Sequence, residues 1–404
     1  MERNLRLYPL YQVGVAAMFW VPVFFLYFSS VATVEQVLWL EAIYYAAVVI
    51  LEVPSGYFSD VVGRRTTLIA SAVALCLAYT LFAATASFGW FVVAQLCLAL
   101  GMALRSGTDS ALLYESLDAV DRTAEMSRIE GRAMSWAFVT SAGASVVGGL
   151  LASFDARAAY LASAIGVVLA FVIATLFTEP KRQPAEHPGK QLRACTQALR
   201  DRTTGWLALF VVLMIVFNHI PWELTQPYVA LAFPAQSGFA PTPTIVGSVG
   251  AAGMLIAAYV SRRAASIRAK LGQWPTLLIA MATQGLVIAT LGFVHPVLCV
   301  VLTLRSSPRA LMVPVLNAAI HARVADSNRA TFLSMLSLAG RLAFSLTLVA
   351  ASQAIADPAE LSAPGLRRLA VFGAAMLAVC LLIFGAVAMR ERRAAADSEK
   401  PASL

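Results

Sequence analysis

Twelve long apolar runs restrict the fold of this chain more than any other feature of its sequence. A bilayer core about 30 Å thick needs roughly 20 apolar residues in a helix, and each run between polar, Pro and Gly breaks has about that length. Backbone groups in lipid must be hydrogen-bonded within the protein, so such runs form helices. The predicted spans are 9–31, 37–58, 66–86, 89–114, 130–153, 156–177, 205–232, 243–261, 274–294, 296–320, 330–353 and 366–389. The sequence therefore predicts an all-α polytopic membrane protein.

The composition agrees with this prediction. Of the 404 residues, 59% are hydrophobic and only 13% are charged, whereas about a quarter of the residues in soluble domains are charged. No sizeable water-soluble domain fits such a chain. Soluble enzymes, disordered scaffolds and nucleic-acid-binding proteins are excluded as first hypotheses.

The positions of Lys and Arg indicate the orientation in the membrane, because basic residues near span ends are retained on the cytoplasmic side. Most of the 30 Lys and Arg residues lie on alternate connections that begin with the N-terminus. The opposite connections hold only Arg157, Arg367 and Arg368. We expect both termini to be cytoplasmic. Topology explains the net charge of +8, and no nucleic-acid partner is needed.

One long polar connector divides the chain near its middle. It predicts six-helix halves at 1–177 and 205–389, a cytoplasmic connector at 178–204 and a cytoplasmic tail at 390–404. The halves look like copies of each other at an offset of about 200 residues, as a duplicated transporter would show. The matching positions are Leu104-Arg105-Ser106 with Leu304-Arg305-Ser306, Arg128 with Arg329, and Tyr27 with Tyr228. We predict two pseudo-symmetric six-helix bundles.

A charged motif follows the second span, Gly56-Tyr57-Phe58-Ser59-Asp60-Val61-Val62-Gly63-Arg64-Arg65. Gly56 is expected to let helices approach, and Gly63 to permit a tight turn. Asp60 is expected to accept hydrogen bonds from a helix N-terminus or from Arg64 and Arg65. The motif resembles the loop signature of the major facilitator superfamily, Gly-x-x-x-Asp-x-x-Gly-Arg-[Arg/Lys]. The resemblance implies a cytoplasmic latch between the two halves, and we call these residues the latch motif.

Further segments resemble the drug-efflux-like, drug:proton antiporter branch of this superfamily. They are Leu51 to Pro54, Ser106 to Glu115, Gln226 to Tyr228, and Arg329 to Ser334. There are also departures from that branch. The arginine that many exporters carry early in the fourth span falls near Cys97 here, and the fifth span lacks the Gly-Pro step of the antiporter motif. The second latch copy is degenerate, with Ser261 where Asp60 stands in the first.

Charged residues inside the predicted spans indicate a functional site, because each costs about 2.5 to 3.5 kcal/mol at a helix centre. Arg105 and Asp109 are one turn apart on the fourth span and can pair. Arg305 and Arg309 have the same spacing on the tenth span. The resemblance places the first, fourth, seventh and tenth spans around a central cavity. The two arginines of the tenth span then face an anionic substrate group or the acids Asp109 and Glu223. The alternative is that they snorkel or pair permanently with protein acids.

The seventh span carries Pro221 and Pro227 among polar side chains, and we predict that it is an interrupted helix at the substrate site. Its candidate cavity residues are Asn218, His219, Trp222, Glu223, Gln226 and Tyr228. Trp20, near Pro22, makes a smaller version on the first span. The alternatives are interfacial-belt roles for Trp222 and Tyr228 and a hydrogen-bonded core role for His219.

The remaining candidates are structural. We expect Glu52 and Glu115, near the cytoplasmic ends of their spans, to act in the latch or a gate, and Arg341 on the eleventh span to form a scaffold ion pair. The four histidines lack metal-ligand spacing, and the five cysteines suggest neither disulfides nor a metal cluster. No phosphate-binding loop or nucleophile motif is present, so we expect no cofactor and no enzymatic activity.

Together, these features predict a monomeric secondary transporter in a bacterial-type inner membrane, with a small molecule and protons as its partners. Asp109 is the first candidate for proton coupling and Glu223 the second. The efflux-like segments favour export of a small amphipathic compound, and the arginines favour one with an anionic group. The alternatives are an importer or exchanger of an organic acid, siderophore or phosphate ester, and, more remotely, a sensor or channel.

Overall fold

The structure is a computed structural model that describes residues 1–180, 188–234, 242–321, 323–324, 329–354 and 362–398. Parts of the predicted connector (181–187) and tail (399–404) lie outside the described residues. The described chain is helical, without strands. Its helices are α1 Glu2–Ala16, α2 Phe24–Ser29, α3 Val34–Val62, α4 Arg64–Ala84, α5 Phe88–Arg105, α6 Thr108–Asp118, α7 Met126–Phe154, α8 Ala156–Leu176, α9 Pro188–Ala198, α10 Arg202–Ala232, α11 Thr242–Leu271, α12 Gln273–Thr290, α13 Cys299–Leu302, α14 Ser307–His321, α15 Arg329–Ala354 and α16 Ala363–Ser398.

Packing divides the chain into two compact units. Unit 1 comprises Met1–Gln191, Phe233–Ala252 and Arg341–Leu361, and unit 2 comprises Leu192–Ala232, Gly253–Gly340 and Ser362–Leu404. Within the described residues, ten helical segments are long and apolar enough to cross a membrane. The count of twelve spans and the division into halves at the connector stay predictions.

Three of the predicted spans are broken rather than continuous helices. The first span is divided between α1 and α2. The fourth breaks between α5 and α6 at Gly107, whose φ of 75° suits a residue without a Cβ. The tenth contains a 3-10 turn, Thr303–Ser306, before α14. Pro308 supplies a reason, because it has no N–H for the Leu304 carbonyl and is well tolerated in the first turn of a new helix.

The seventh span, in contrast, is one continuous helix, and the predicted interruption there is wrong. Helix α10 runs through both Pro221 and Pro227. Pro221 leaves the carbonyl of Phe217, four residues earlier, without its helical donor. The buried Gln284 of α12 donates its side-chain amide to that carbonyl at 2.9 Å. A side chain from a neighbouring helix therefore replaces the missing hydrogen bond, and the helix continues.

Two tyrosines that the predicted repeat pairs make similar hydrogen bonds, while the repeat itself stays a prediction. Tyr27 donates its hydroxyl to the Phe82 carbonyl at 2.7 Å, near the end of α4 in unit 1. Tyr228 donates to the Phe293 carbonyl at 2.9 Å, just after α12 in unit 2. Each tyrosine thus holds the chain near the end of a helix, Tyr27 at α4 and Tyr228 just after α12.

Small residues allow close helix packing in unit 1. A Cβ at Gly148 would collide with the backbone carbonyl of Phe19, and one at Gly149 would collide with that of Pro243. Ser145 of α7 donates to the Gly247 carbonyl of α11 at 3.1 Å. Packing through glycine and serine is the usual way in which membrane helices approach closely.

Candidate functional site

The break between α5 and α6 brings Arg105 and Asp109 together in unit 1. Their closest atoms, Nη1 and Oδ2, are 3.5 Å apart. Gln12 of α1 donates its amide to the same carboxylate oxygen at 2.9 Å. The Ser110 backbone N–H donates to the other oxygen at 2.8 Å. The pairing that the sequence predicted is therefore present, and a third polar group from the first span joins it.

This ion pair is not fully coordinated. Charge-assisted N–H···O bonds are usually about 2.7 to 2.9 Å long, so the Arg105–Asp109 contact is loose. The Nε of Arg105 and the hydroxyl of Tyr11 are buried without a hydrogen-bond partner among the described residues. Buried polar groups normally have partners. Water or a bound substrate could supply them here, so the position is chemically suited to ligand binding.

A second buried carboxylate lies in unit 1, and the sequence interpretation missed it. Glu41 of α3 is 6% exposed and Gln95 of α5 is 1% exposed. The Gln95 amide donates to the Glu41 carboxylate at 3.0 Å. No Lys or Arg within the described chain forms an ion pair with Glu41. The available signal was the presence of a carboxylate inside the predicted span 37–58.

Gln95 can bind either protonation state of Glu41. Its Nε2 donates to an ionised carboxylate, while its Oε1, which has no partner in the described structure, can accept from a protonated one after an amide flip. Helix α15 packs over the same part of α3: Ser345 donates to the Ala42 carbonyl at 2.9 Å. Glu41 therefore lies where α3 contacts both α5 and α15.

Glu52 and Arg341 form an ion pair within unit 1, with Nη1 and Oε2 3.1 Å apart. Ser106, in the break after α5, donates to the other Glu52 oxygen at 3.2 Å. Arg341 thus has a protein partner of the kind predicted for a scaffold residue. The contact links α3 and α15 to the broken fourth span, while the gate role of Glu52 stays a prediction.

The latch motif forms a charge cluster. Arg64 contacts Asp60, with Nη1 and Oδ1 2.6 Å apart, and Glu115, with Nη2 and Oε1 2.9 Å apart. Ser59 accepts a further hydrogen bond from Arg64 at 2.9 Å. Arg65 points elsewhere and donates to the Thr175 carbonyl at 2.7 Å. Asp60 is therefore a partner of a loop arginine, and Glu115 belongs to the same cluster.

The N-terminus of α4 is capped by another acid, Glu179. Asp60 was one expected acceptor for a helix N-terminus. The two carboxylate oxygens of Glu179 accept the backbone N–H groups of Arg64 at 2.6 Å and Arg65 at 2.9 Å, at the start of α4. A carboxylate at this place satisfies two free N–H groups and favours the helix dipole. The sequence interpretation missed Glu179 because it lies more than 100 residues from the motif, at the start of the connector.

The two glycines of the latch motif differ in whether the structure requires glycine there. Gly63 has a φ of 113°, and a Cβ there would lie 2.8 Å from the Glu179 carboxyl group, so this position requires glycine. A Cβ at Gly56 would contact nothing within 4 Å. The expectation that Gly56 lets helices approach is therefore wrong for this structure, because the space beside it is open.

Unit 2 holds the candidates of the seventh and tenth spans. The Arg305 guanidinium, in the 3-10 turn before α14, lies 5.3 Å from the centre of the Trp222 ring. Arg309 follows on α14 and is exposed. Cation–π contacts of this kind hold an arginine without neutralising its charge. Arg305 therefore keeps its positive charge beside the Trp222 ring.

Three of the other candidates of α10 are buried. Glu223 and Gln226 are each 2% exposed, and Tyr228 is fully buried. The hydroxyl of Tyr228 holds the chain after α12, which gives it a structural task. His219 contacts the Ile215 carbonyl of its own helix at 2.6 Å, as a hydrogen-bonded histidine would. Asn218 approaches the Met312 sulfur at 3.8 Å.

Trp20 lies in the break between α1 and α2, against aromatic residues of unit 1. Its ring stacks on Tyr160 at 6.2 Å between centroids and contacts Phe24 and Tyr79. The first span is thus interrupted at the position that the sequence predicted for a smaller version of the site.

Comparisons with known proteins agree with this architecture. A family model described as Major Facilitator Superfamily matches residues 11–348. No curated protein matches the chain. The chain is similar to the solved structure of nucleoside transporter NupG, with a TM-score of 0.78 and 12% identity over 96% of this chain and 99% of that one. A mutant of NupG gives a TM-score of 0.81 and 12% identity over 95% and 99%. An auto-inhibited POT family peptide transporter gives a TM-score of 0.71 and 14% identity over 96% of this chain and 97% of that one.

Proposed function

The chain belongs to the major facilitator superfamily, and we propose that it moves a small amphipathic molecule across a bacterial-type inner membrane in a proton-coupled cycle of alternating access. Its class is a secondary transporter rather than an enzyme. The similarity to nucleoside and peptide transporters, at 12 to 14% identity, supports the fold but does not identify the substrate. The substrate and the coupling are therefore argued from the charged residues.

The observation that carries the proposal is the loose ion pair between Arg105 and Asp109, in which the closest atoms are 3.5 Å apart. Both residues flank a helix break, and the side chain of Asp109 is only 12% exposed. A carboxylate with limited solvent access and an adjacent cation can exchange a proton when the access changes. We assign Asp109 as the first proton site and Glu223 as the second, and Glu41 joins them as a third candidate.

Protonation of Asp109 weakens its hold on Arg105. The guanidinium, whose Nε already lacks a partner among the described residues, then becomes available to another acceptor. The proton and an anionic group would in this case bind together at the same site. A cationic or hydrogen-bond-donating group would instead compete with the proton for the Asp109 carboxylate. The charge of the substrate therefore sets the sign of the coupling.

Export by proton antiport is the direction that the drug-efflux-like segments indicate. With Asp109 as the proton site, this direction suits an amphipathic substrate whose donor or cationic group competes with the proton. An anionic substrate would need a separate contact for antiport, and Arg305 and Arg309 are the candidates for it in unit 2. Export is the first proposal, with the substrate contact at Asp109 or at these arginines.

A second candidate is uptake of an organic anion together with a proton, such as an organic acid, siderophore or phosphate ester. The specific observation that favours it is that the buried Nε of Arg105, beside Asp109, has no hydrogen-bond partner within the described part of the chain. An anion that binds this guanidinium binds best when Asp109 is protonated, which couples the two in the same direction.

Proteoliposomes with an imposed pH gradient separate these functions. Candidate ligands come first from a thermal-stabilisation screen, since a ligand at 100 times its Kd adds about 2.7 kcal/mol of stability. An antiporter accumulates substrate in liposomes with an acidic lumen, and a symporter does so when the outside is acidic. Saturable uptake that ignores both gradients would overturn proton coupling. Absence of any saturable flux would favour a sensor or channel.

A further inference from the structure

A basic cleft lies between the start of α1 and the start of α7 in unit 1, and neither Arg105 nor Asp109 lines it. Its volume is about 570 Å³, within the usual range of small-ligand sites. Four arginines line it, two from α7, one from α1 and one from the turn before α7: Arg6, Arg122, Arg128 and Arg132. No part of the proposed transport mechanism uses this cleft.

The positive charge of the cleft is only partly neutralised. Arg122 contacts Glu2 and Glu125, each at 2.7 Å, and Arg128 also pairs with Glu125. Arg6 and Arg132 form no ion pair with any carboxylate of the described chain. Two of the four guanidinium groups therefore have carboxylate partners in the described chain and two do not, which leaves an excess of positive charge for an anion.

The cleft lies where the charged surface changes into an apolar one. Arg128, Arg132 and Trp136 follow one another at four-residue spacing, which places them on one face of α7. The Arg132 guanidinium lies 5.3 Å from the centre of the Trp136 ring. Tryptophan is characteristic of the headgroup level of a membrane. Just beyond it, Phe138 is 54% exposed and Val139 is 74% exposed, as lipid-facing residues are.

The α1 wall has the same order of groups. Arg6 is exposed at the charged end, and Leu10, one turn later, is 43% exposed and lines the cleft. A ligand that fits both walls has an anionic head and an apolar tail. The general excess of basic residues near span ends explains the sign of the charge. It does not explain why the arginines, a tryptophan and an apolar wall surround one cleft.

We propose that this cleft binds the headgroup of an anionic phospholipid, with the phosphate between Arg6 and Arg132 and the acyl chains along Leu10 and the apolar face of α7. Basic pockets between membrane helices are suited to such headgroups. The phosphate contacts one residue of α1 and one of α7. The bound lipid therefore stabilises the packing of the first span on the fifth, independently of substrate and coupling ion.

Native mass spectrometry of the purified full-length protein tests the proposal. The protein in detergent is titrated with phosphatidylglycerol, with zwitterionic phosphatidylcholine and with glycerol 3-phosphate. The test variant is Arg6→Gln with Arg132→Gln. The matched control is Arg262→Gln with Arg263→Gln on α11, where Arg263 also lies over an aromatic ring, that of Tyr259 at 5.5 Å.

We expect phosphatidylglycerol to bind the wild type and the control equally, and the test variant roughly 30-fold more weakly, because each basic residue near a membrane surface adds a few-fold in affinity. Binding of phosphatidylcholine should be weak and unchanged. Phosphatidylglycerol binding that is equal in all three proteins, or equally reduced in both variants, would overturn the site. Equal binding of glycerol 3-phosphate would assign it to a soluble phosphate instead. If the double variant does not fold, Arg6→Gln alone is titrated, and unchanged binding there is equally decisive.

Discussion

The side-chain amide of Gln95 on α5 donates a 3.0 Å hydrogen bond to the carboxylate of Glu41 on α3, and both side chains are buried in unit 1. This is a polar pair in which each partner depends on the other, because neither side chain is accessible to bulk water. Leaving one buried partner without a hydrogen bond costs about 1 to 3 kcal/mol, whereas replacing both by apolar groups is nearly neutral.

The first prediction is that Gln95→Leu lowers the free energy of unfolding by about 1 to 3 kcal/mol, since it leaves the Glu41 carboxyl without its donor. The double variant Glu41→Leu with Gln95→Leu should recover most of the loss. Thermal unfolding of the purified variants in one detergent measures both. If the double variant is as unstable as the sum of the single ones, the two residues do not act as a pair.

The second prediction concerns proton coupling at Asp109. Asp109→Asn should abolish accumulation driven by a pH gradient while substrate exchange without a gradient continues, because the amide packs near Arg105 but carries no exchangeable proton. Glu130→Gln is the matched control, since Glu130 accepts a hydrogen bond from the adjacent Ser110 at 3.2 Å and forms no part of the Arg105 pair. An unchanged pH dependence in Asp109→Asn would move the role to Glu223 or Glu41, and the same assay on Glu41→Gln distinguishes these.

The sequence predicted much of this fold but not the contacts that join distant segments. Apolar runs and the latch motif indicated the helical membrane fold, because burial in lipid imposes a length and a composition. Glu41 and Gln95, in contrast, are 54 residues apart, and nothing in either apolar run specifies which polar side chains will meet. The helix breaks at Gly107 and before Pro308 show the same limit, since glycine and proline are tolerated in many membrane helices.

Proline in α10 shows the limit in the opposite direction. Pro221 predicts an interruption from local sequence alone, yet the carbonyl that it leaves free accepts a hydrogen bond from Gln284 of another helix. The prediction from local sequence failed because a tertiary contact replaces the hydrogen bond that proline removes. Glu179 is a similar case, because it supplies the acceptor at the start of α4 from a position 115 residues later in the chain.

The third prediction separates the capping acid from the motif glycine. Glu179→Ala should lower stability by about 0.5 to 2 kcal/mol, the usual cost of losing a helix N-cap side chain. Gly63→Ala should cost at least about 1 kcal/mol, since it adds a residue with positive φ and a Cβ 2.8 Å from the Glu179 carboxyl group. Gly56→Ala is the control and should be neutral or slightly stabilising. Equal melting temperatures for Gly63→Ala and Gly56→Ala would contradict this account.

The fourth prediction concerns Asp60, whose side chain is 39% exposed beside Arg64. Exposed ion pairs contribute about 0 to 1 kcal/mol, so Asp60→Asn should leave expression and melting temperature nearly unchanged. Transport should nevertheless fall, because the substitution removes a charge from the cluster that the superfamily resemblance identifies as a latch. Initial rates of uptake into proteoliposomes measure the effect, and wild-type turnover would refute the latch role of Asp60.

The last prediction tests Arg305 and Arg309 as contacts for an anionic substrate group. If they bind such a group, Arg305→Gln and Arg309→Gln should each weaken ligand binding by about 1.5 to 3 kcal/mol, the range of hydrogen bonds to charged groups. Lysine should restore only part of the affinity, because it lacks the planar fork of arginine. Arg323→Gln is the control, since Arg323 donates to the Ala319 carbonyl at 3.0 Å, at the end of α14. Isothermal titration with the ligand from the stabilisation screen gives the affinities.

If the arginines instead balance Asp109 or Glu223, the glutamine variants should lose thermal stability rather than affinity, and neutralising the partner acid should restore that stability. Normal affinity in a well-folded Arg305→Gln, Arg309→Gln double variant would exclude an anion contact at these two arginines. It would leave an anion at Arg105, which predicts symport, or a cationic or neutral substrate that competes with the proton at Asp109, which predicts antiport.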